Sequence, residues 1–130
     1  MLRTLRLSLA TATSILALAA FAFAHHGSAD FDASKITTIT GTVIEFAFIN
    51  PHALLTLEVK DPSTGKIAKW HGELTSPSSL AQLGWNKNTL KPGDEVTMTG
   101  MPLKSGAPAM AIRKLVKNGE LIPVGGAGAA

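Results

Sequence analysis

Two adjacent histidines, His25 and His26, are the residues of this chain with the clearest capacity for chemistry. They follow Ala22-Phe23-Ala24, which has the small-x-small pattern of a signal peptidase cleavage site. Cleavage after Ala24 would make His25 the new N-terminus, and its amino group and Nδ1 could then chelate a metal ion. A third nitrogen would complete a tetragonal set, which favours Cu(II) among the divalent metals of the first row. The junction therefore predicts copper binding if the chain is cut at that bond.

The third nitrogen has to come from elsewhere, because His26 lies too close to His25 to complete that geometry easily. His52 is the best candidate, since it follows the Asn50-Pro51 break and starts a strand on the side opposite the core residues. We expect His25 and His52 to bind the ion, with help from His26. Two plainer interpretations stay open: the paired histidines as a polar start to the chain, and His52 as an ordinary strand-edge residue.

The fourth histidine, His71, is separated from this set by the register that its hairpin predicts. Matching the core faces of the two strands pairs Leu57 with Trp70 and therefore Thr56 with His71. His52 then lies four residues further along its strand, about 13 Å away at roughly 3.3 Å per residue. One ion cannot bridge that distance, so we place His71 on a solvated strand face.

An alternative without a metal uses aromatic side chains. Phe46, Phe48 and Trp85 could stack a small ligand or dock an exported protein partner on one face of the domain. We expect Trp85 to plug one end of the barrel. The sequence contains no nucleophile elbow, nucleotide-binding glycine loop or metalloprotease histidine pair, so we predict a binding protein rather than an enzyme.

The remaining metal donors are limited by composition. The chain has no cysteine, so thiolate ligands are excluded. Three methionines could bind Cu(I) through their thioethers, but packing in the core is the favoured role for each; they are Met98, Met101 and Met110.

The first 24 residues are predicted to form a signal peptide, with Arg3 and Arg6 ahead of an apolar stretch. That stretch is shorter than the roughly 20 apolar residues that a spanning helix needs. We therefore expect a periplasmic or secreted chain with no stable membrane span after processing. Removing the leader lowers the count of Lys and Arg from 12 to ten, against nine Asp and Glu. This near-neutral balance predicts no nucleic acid partner.

The elements that must position these residues are predicted to be five strands and one short helix. Alternating apolar and β-branched residues indicate strands at 36–49, 52–60, 66–74, 95–100 and 109–117. Ser76 as N-cap, Pro77 at the first helical position and Gly84 as terminator indicate a short helix between the third and fourth strands.

This order predicts an all-β fold, a small five-stranded OB-like barrel with one short helix between strands 3 and 4. The predicted organisation is a signal peptide at 1–24, an N-terminal arm at 25–35, the barrel at 36–122 and a flexible tail at 123–130.

Three short motifs also form a recognisable set, namely Ala24-His25-His26-Gly27, Asn50-Pro51-His52, and Gly84-Trp85 followed by Lys91-Pro92-Gly93-Asp94. With these motifs the chain resembles a family of exported bacterial proteins described only as a domain of unknown function, and the resemblance covers nearly all of residues 25–130. It implies a small periplasmic β-barrel and supplies no catalytic residues. The sequence departs from the family pattern at Phe48, where Trp is common, and at His71, where an apolar residue is common.

Overall fold

A computed structural model describes residues 28–125 of the chain, and most of its regular structure is β-strand. The strands are β1 (Thr37–Ala47), β2 (Leu54–Lys60), β3 (Ile67–Glu73), β4 (Glu95–Pro102), β5 (Ala109–Lys117) and β6 (Glu120–Ile122). A short helix, α1 (Pro77–Gln82), connects β3 to β4, and a 3-10 turn at Ser28–Asp30 precedes β1. The predicted signal peptide, His25 and His26 lie outside the described residues.

The strands form one sheet that closes on itself. Their order is β3-β2-β1-β4-β5-β6, and β3 also pairs with β5. That closing contact is parallel and spans three residue pairs, His71 with Ala109, Gly72 with Met110, and Glu73 with Ala111. We call these three pairs the closure seam. Five strands closed in this way, with a helix between β3 and β4, confirm the predicted OB-like barrel, and the short β6 extends β5 as a terminal hairpin.

The hairpin between β2 and β3 has the register that the sequence predicts. Leu57 pairs with Trp70, and Thr56 pairs with His71. The turn is held by the Asp61 side chain, whose Oδ1 accepts hydrogen bonds from the backbone N–H groups of Ser63, at 2.7 Å, and Thr64, at 3.0 Å. A side-chain acceptor of this kind fixes the turn and with it the register of both strands.

The core lies inside the barrel and is built from alternate strand positions. Its fully buried side chains are aliphatic residues and two methionines, which are Val43, Leu55, Leu57, Leu80, Leu90, Val96, Met98, Met110 and Leu115. Gly72 keeps the seam close to this core: a Cβ at that position would run into the side chains of Ile112 and Met98. A larger residue there would force β3 away from β5.

The helix and the C-terminal segment close one end of the barrel. Ser76 caps α1 by accepting a hydrogen bond from the N–H of Ser79 at 3.3 Å, as its sequence position predicts. Trp85 is only 4% exposed, and its Nε1 donates to the carbonyl of Pro123 at 2.8 Å. Val124 is also buried. The first residues of the segment predicted to be a flexible tail therefore pack against the barrel.

In residues 28–125, no helix combines the length and the apolar character that a bilayer-spanning segment needs.

Candidate functional site

A cleft of about 240 Å³ opens beside the closure seam. Five side chains from five separate parts of the chain line it and carry its chemistry: Phe31 before β1, His52 before β2, Glu73 at the end of β3, Met101 on β4 and Arg113 on β5. We call it the seam cleft. It combines two charged groups, an imidazole and a thioether with an apolar wall, which is the composition expected of a small binding site.

The fold holds His52 against Glu73. The N–H of Ala53 donates to the carbonyl of Thr75, and the N–H of Leu74 donates to the carbonyl of Ala53, at 3.1 and 2.9 Å. These bonds continue the β2–β3 ladder past its last pair and keep the start of β2 beside the end of β3. Nδ1 of His52 consequently lies 2.5 Å from Oε1 of Glu73. The imidazole side chain is 50% exposed and the carboxylate 23%, so solvent reaches the pair.

The carboxylate of Glu73 determines which nitrogen of His52 is available. An ionised carboxylate only accepts hydrogen bonds, so the imidazole must donate from Nδ1. In the neutral imidazole this leaves the lone pair on Nε2. Histidines that bind metals share this arrangement, in which the second nitrogen donates to a carboxylate that orients the ring and raises its basicity. The contact with Glu73 therefore leaves Nε2 as the nitrogen of the neutral His52 ring that can accept.

The other polar pair in the cleft joins β4 to β5. Nη2 of Arg113 donates to Sδ of Met101 at 3.6 Å. Met101 is partly exposed, whereas Met98 and Met110 are fully buried. The expectation of a core role thus holds for Met98 and Met110, but the side chain of Met101 lies in the cleft.

The chain segment that follows the paired histidines is anchored at the cleft. Phe31 is 6% exposed and forms a β-bridge with Leu103. Nζ of Lys104 donates to the carbonyl of Ala29 at 2.6 Å, and its N–H donates to the carbonyl of Asp30 at 2.9 Å. The start of the described chain is therefore fixed beside the loop between β4 and β5.

His71 lies apart from the cleft, as the register predicts. Its Nδ1 is 3.3 Å from the hydroxyl oxygen of Thr56, the residue paired with it on β2, and its side chain is exposed. Within residues 28–125, no three His, Asp or Glu side chains come close enough together to hold a metal ion. A site at His52 would need further donors from another part of the chain or of another type.

The three aromatic residues predicted to bind a ligand are brought together. The ring centroids of Phe46 and Phe48 are 5.9 Å apart, and those of Phe46 and Trp85 are 5.8 Å apart, in tilted contacts. Trp85 is buried, and both phenylalanines are partly buried against the core. Their contacts with one another serve packing, and their role toward a ligand stays a prediction.

Comparison with known protein families shows which family the chain belongs to. The model of a family of unknown function, DUF6152, matches residues 12–111. The chain belongs to the DUF6152 family. The matched range includes His25, His26, His52 and Trp85, and the match confirms the resemblance inferred from the motifs. No curated protein matches the chain.

A solved structure with the same fold comes from a DNA-binding protein. The mitochondrial single-stranded DNA binding protein Rim1 from S. cerevisiae superposes with a TM-score of 0.50 at 11% identity, covering 68% of this chain and 95% of that chain. This likeness supports the OB-like fold. It also contradicts the prediction that nucleic acid is not a partner, since the neighbour with this fold is a single-stranded DNA binding protein. The prediction rested on net charge alone. Net charge describes a whole chain, whereas nucleic acid binds to one local face.

Four of the five residues that define the seam cleft were not predicted as site residues from the sequence, namely Phe31, Glu73, Met101 and Arg113. Glu73 could have been found, because the predicted register places it opposite Leu54 and so one diagonal step from His52. Met101 gave no such signal. Its place in the cleft depends on the closure of the barrel between β3 and β5, which joins segments about forty residues apart.

Proposed function

We propose that this DUF6152 protein is an exported copper-binding module of the periplasm. Processing after Ala24 would free the amino group and imidazole of His25 to chelate the ion, and Nε2 of His52 would supply the third nitrogen, with His26 as an auxiliary ligand. The observation that carries the proposal is the contact between Nδ1 of His52 and the Glu73 carboxylate. A carboxylate in this position orients an imidazole for metal binding.

The anchoring of Phe31 supports a shared site. Phe31 and His52 line the same cleft, and His25 precedes Phe31 by six residues. A chain spans at most about 3.3–3.6 Å per residue, so six residues could bridge at most roughly 20 Å. This short spacing supports the proposal that His25 and His52 share one ion.

The donors within the cleft also fit an ion whose coordination is completed by the N-terminal arm. His52 offers one nitrogen, and Glu73 offsets part of the charge of a bound cation without having to ligate it. The remaining nitrogens would come from residue 25, whose amino group and imidazole form a chelate ring. A nitrogen set of this kind favours Cu(II).

The decisive experiment is calorimetric titration of Cu(II) into protein that starts at His25. We expect His52→Ala to lower the affinity at least about 100-fold, because it removes both a ligand and the contact with Glu73 that orients it. One extra residue ahead of His25 should have a comparable effect, because it converts the terminal amine into an amide. His71→Ala is the matched control and should bind like the parent protein.

Equal affinity of the parent, the extended chain and His52→Ala would end the proposal. Mass spectrometry of the protein secreted by a native-like host tests its other premise, since a mature chain that does not start at His25 cannot form the chelate.

Single-stranded nucleic acid is the second candidate partner, because a single-stranded DNA binding protein shares this fold over 95% of its length. Partly exposed Phe46 and Phe48 are the aromatic residues that could stack on bases. The test is fluorescence anisotropy of a labelled oligothymidine at about 50 mM salt, where phosphate contacts are strong. Binding that weakens as salt rises would support this function, and an unchanged anisotropy would remove it.

A further inference from the structure

We infer that the seam cleft binds copper(I) through the thioether of Met101 together with the imidazole of His52. The inference takes His52 as a ligand from the proposed function and adds to it a second ligand and an oxidation state.

The first observation is the position of Met101 relative to the other methionines of the barrel. Met98 and Met110 are fully buried. Along β4, burial alternates through Val96, Met98 and Gly100, so the side chain of Met101 points out of the barrel. There it lines the cleft that His52 also lines. Its sulfur thus lies outside the core, whereas the sulfurs of the two buried methionines are enclosed by it.

The second observation is the polar partner of this sulfur. Nη2 of Arg113 donates to Sδ of Met101 at 3.6 Å, so a lone pair of the sulfur faces the guanidinium that also lines the cleft. A thioether is a weak acceptor. Arg113 can therefore exchange this contact for another at little cost when an ion approaches, and the guanidinium has to turn away from the sulfur to make room for it.

The third argument is the chemistry of the donors. Thioethers are soft ligands that select Cu(I), and imidazole also suits copper. Both ligands are neutral, and the nearby Glu73 offsets the charge of a monovalent ion. Zn²⁺ is bound in proteins by thiolate, imidazole and carboxylate rather than by thioether. The pair of Met101 and His52 consequently predicts a preference for reduced copper over zinc.

The test is an anaerobic titration with Cu(I) in competition with bathocuproine disulfonate, using the protein that starts at His25. Met101→Leu conserves the side-chain volume and removes the sulfur. We expect it to lower Cu(I) affinity at least about 10-fold, as losing a metal ligand requires, and to leave Cu(II) affinity unchanged. Met98→Leu is the matched control, because it replaces a buried methionine, and its Cu(I) affinity should equal that of the parent.

X-ray absorption of the Cu(I)-loaded parent protein gives a readout that does not depend on any variant. A sulfur scatterer in the first shell of copper, lost in Met101→Leu, is the expected result. Equal Cu(I) affinity in parent and Met101→Leu, or a first shell without sulfur, would overturn the inference.

The two proposals fail in different ways. If His52→Ala lowers Cu(II) affinity while Met101→Leu has no effect on Cu(I), only the thioether ligand is refuted. If Met101→Leu weakens Cu(I) binding while His52→Ala leaves Cu(II) binding intact, the copper(II) function is refuted and the sulfur ligand remains.

Discussion

His52 lies two residues before β2 and His71 lies on β3, the two strands of one hairpin, and both side chains are exposed, yet their surroundings differ in kind. Nδ1 of His52 is 2.5 Å from Oε1 of Glu73, and the His52 side chain lines a cleft. Nδ1 of His71 is 3.3 Å from the hydroxyl of Thr56 on an open strand face. A carboxylate fixes both the tautomer and the orientation of a ring, whereas a hydroxyl can donate or accept and fixes neither.

The difference arises from the way the barrel closes. Along the hairpin, β2 and β3 pair regularly and place His71 opposite Thr56. At the seam β3 also pairs with β5, but only over three residue pairs, because β3 ends at Glu73 while β5 continues to Lys117. The cleft lies at this end of the seam, beside Glu73. His71 pairs at the start of the seam and Glu73 at its end, so position along the seam, rather than the presence of a histidine, distinguishes a candidate ligand from a surface residue.

The largest expected effect comes from breaking the seam itself. Gly72→Val should lower the free energy of unfolding by about 3 kcal/mol, because the added side chain would overlap Ile112 and Met98 in a packed core. Urea denaturation followed by circular dichroism measures this. Ala68→Val is the control on the same strand, where the side chain is exposed, and should change the stability by less than about 0.5 kcal/mol. Similar losses of stability in the two variants would show that the contact between β3 and β5 does not require a glycine at position 72.

The next effect concerns the carboxylate that distinguishes the two histidines. Glu73→Gln should lower Cu(II) affinity about 10- to 100-fold with little change in stability, because the amide can no longer fix the proton on Nδ1 of His52. Calorimetry checks the affinity. Glu58→Gln, on the exposed face of β2, is the matched control and should bind as the parent does. An affinity unaltered by Glu73→Gln would mean that the contact between His52 and Glu73 serves only the fold.

The carboxylate of Asp94 contrasts with that of Glu73, because its hydrogen-bond and charge partners stabilise the fold. Burial alone would raise the pKa of Asp94, but the N–H of Lys91, at 2.8 Å, and the ammonium group of Lys117, at 3.5 Å, outweigh it and hold the pKa below the ordinary 3.8. A lowered folded pKa contributes stability above the unfolded value and loses it as the pH falls through the folded value.

Asp94→Asn should therefore cost about 1 kcal/mol of stability at pH 7, and the difference from the parent should vanish as the pH falls below 3.8 and through the folded pKa. Urea denaturation across that pH range measures it. Glu120→Gln, an exposed position on β6, should show no such convergence. A deficit for Asp94→Asn that stays constant with pH would contradict the assignment.

The smallest effect is expected beside His71. Thr56→Val removes the hydroxyl next to its imidazole and should change the free energy of unfolding by less than about 0.5 kcal/mol, since the side chain is on the outer face of the sheet. Cu(II) affinity should not change. A loss of copper binding in this variant would place His71 at the site and erase the contrast with His52.

Local pattern was sufficient to predict the strands, the capped helix and the hairpin register. Asp61 holds the turn, and alternating apolar residues place Leu55 and Leu57 inside the barrel. These features depend on residues near one another in sequence, where spacing and side-chain type act directly.

The candidate site was only partly predictable, because its residues are distant from one another in sequence. His52 was identified by its place after a strand break, and Glu73 could have been found from the register although it was not predicted. Met101 and Arg113 come together with them only through closure of the barrel, and non-local pairing of three residues leaves no periodic signal in the sequence. The buried Val124 was missed in the same way, because its packing depends on where the chain returns after β6.

The bridge between Phe31 and Leu103 also bears on metal affinity, because it fixes the point at which the N-terminal arm joins the barrel. It ties the chain to the barrel six residues after His25, so under the proposed function it would tether the N-terminal ligands to the barrel. A short tether raises the effective concentration of its end to about the millimolar range, which turns the second ligation step into an intramolecular one. Sensitivity to scarce metal would then depend on the length of chain between anchor and N-terminus, a quantity that insertions of one or two residues could tune without altering any ligand.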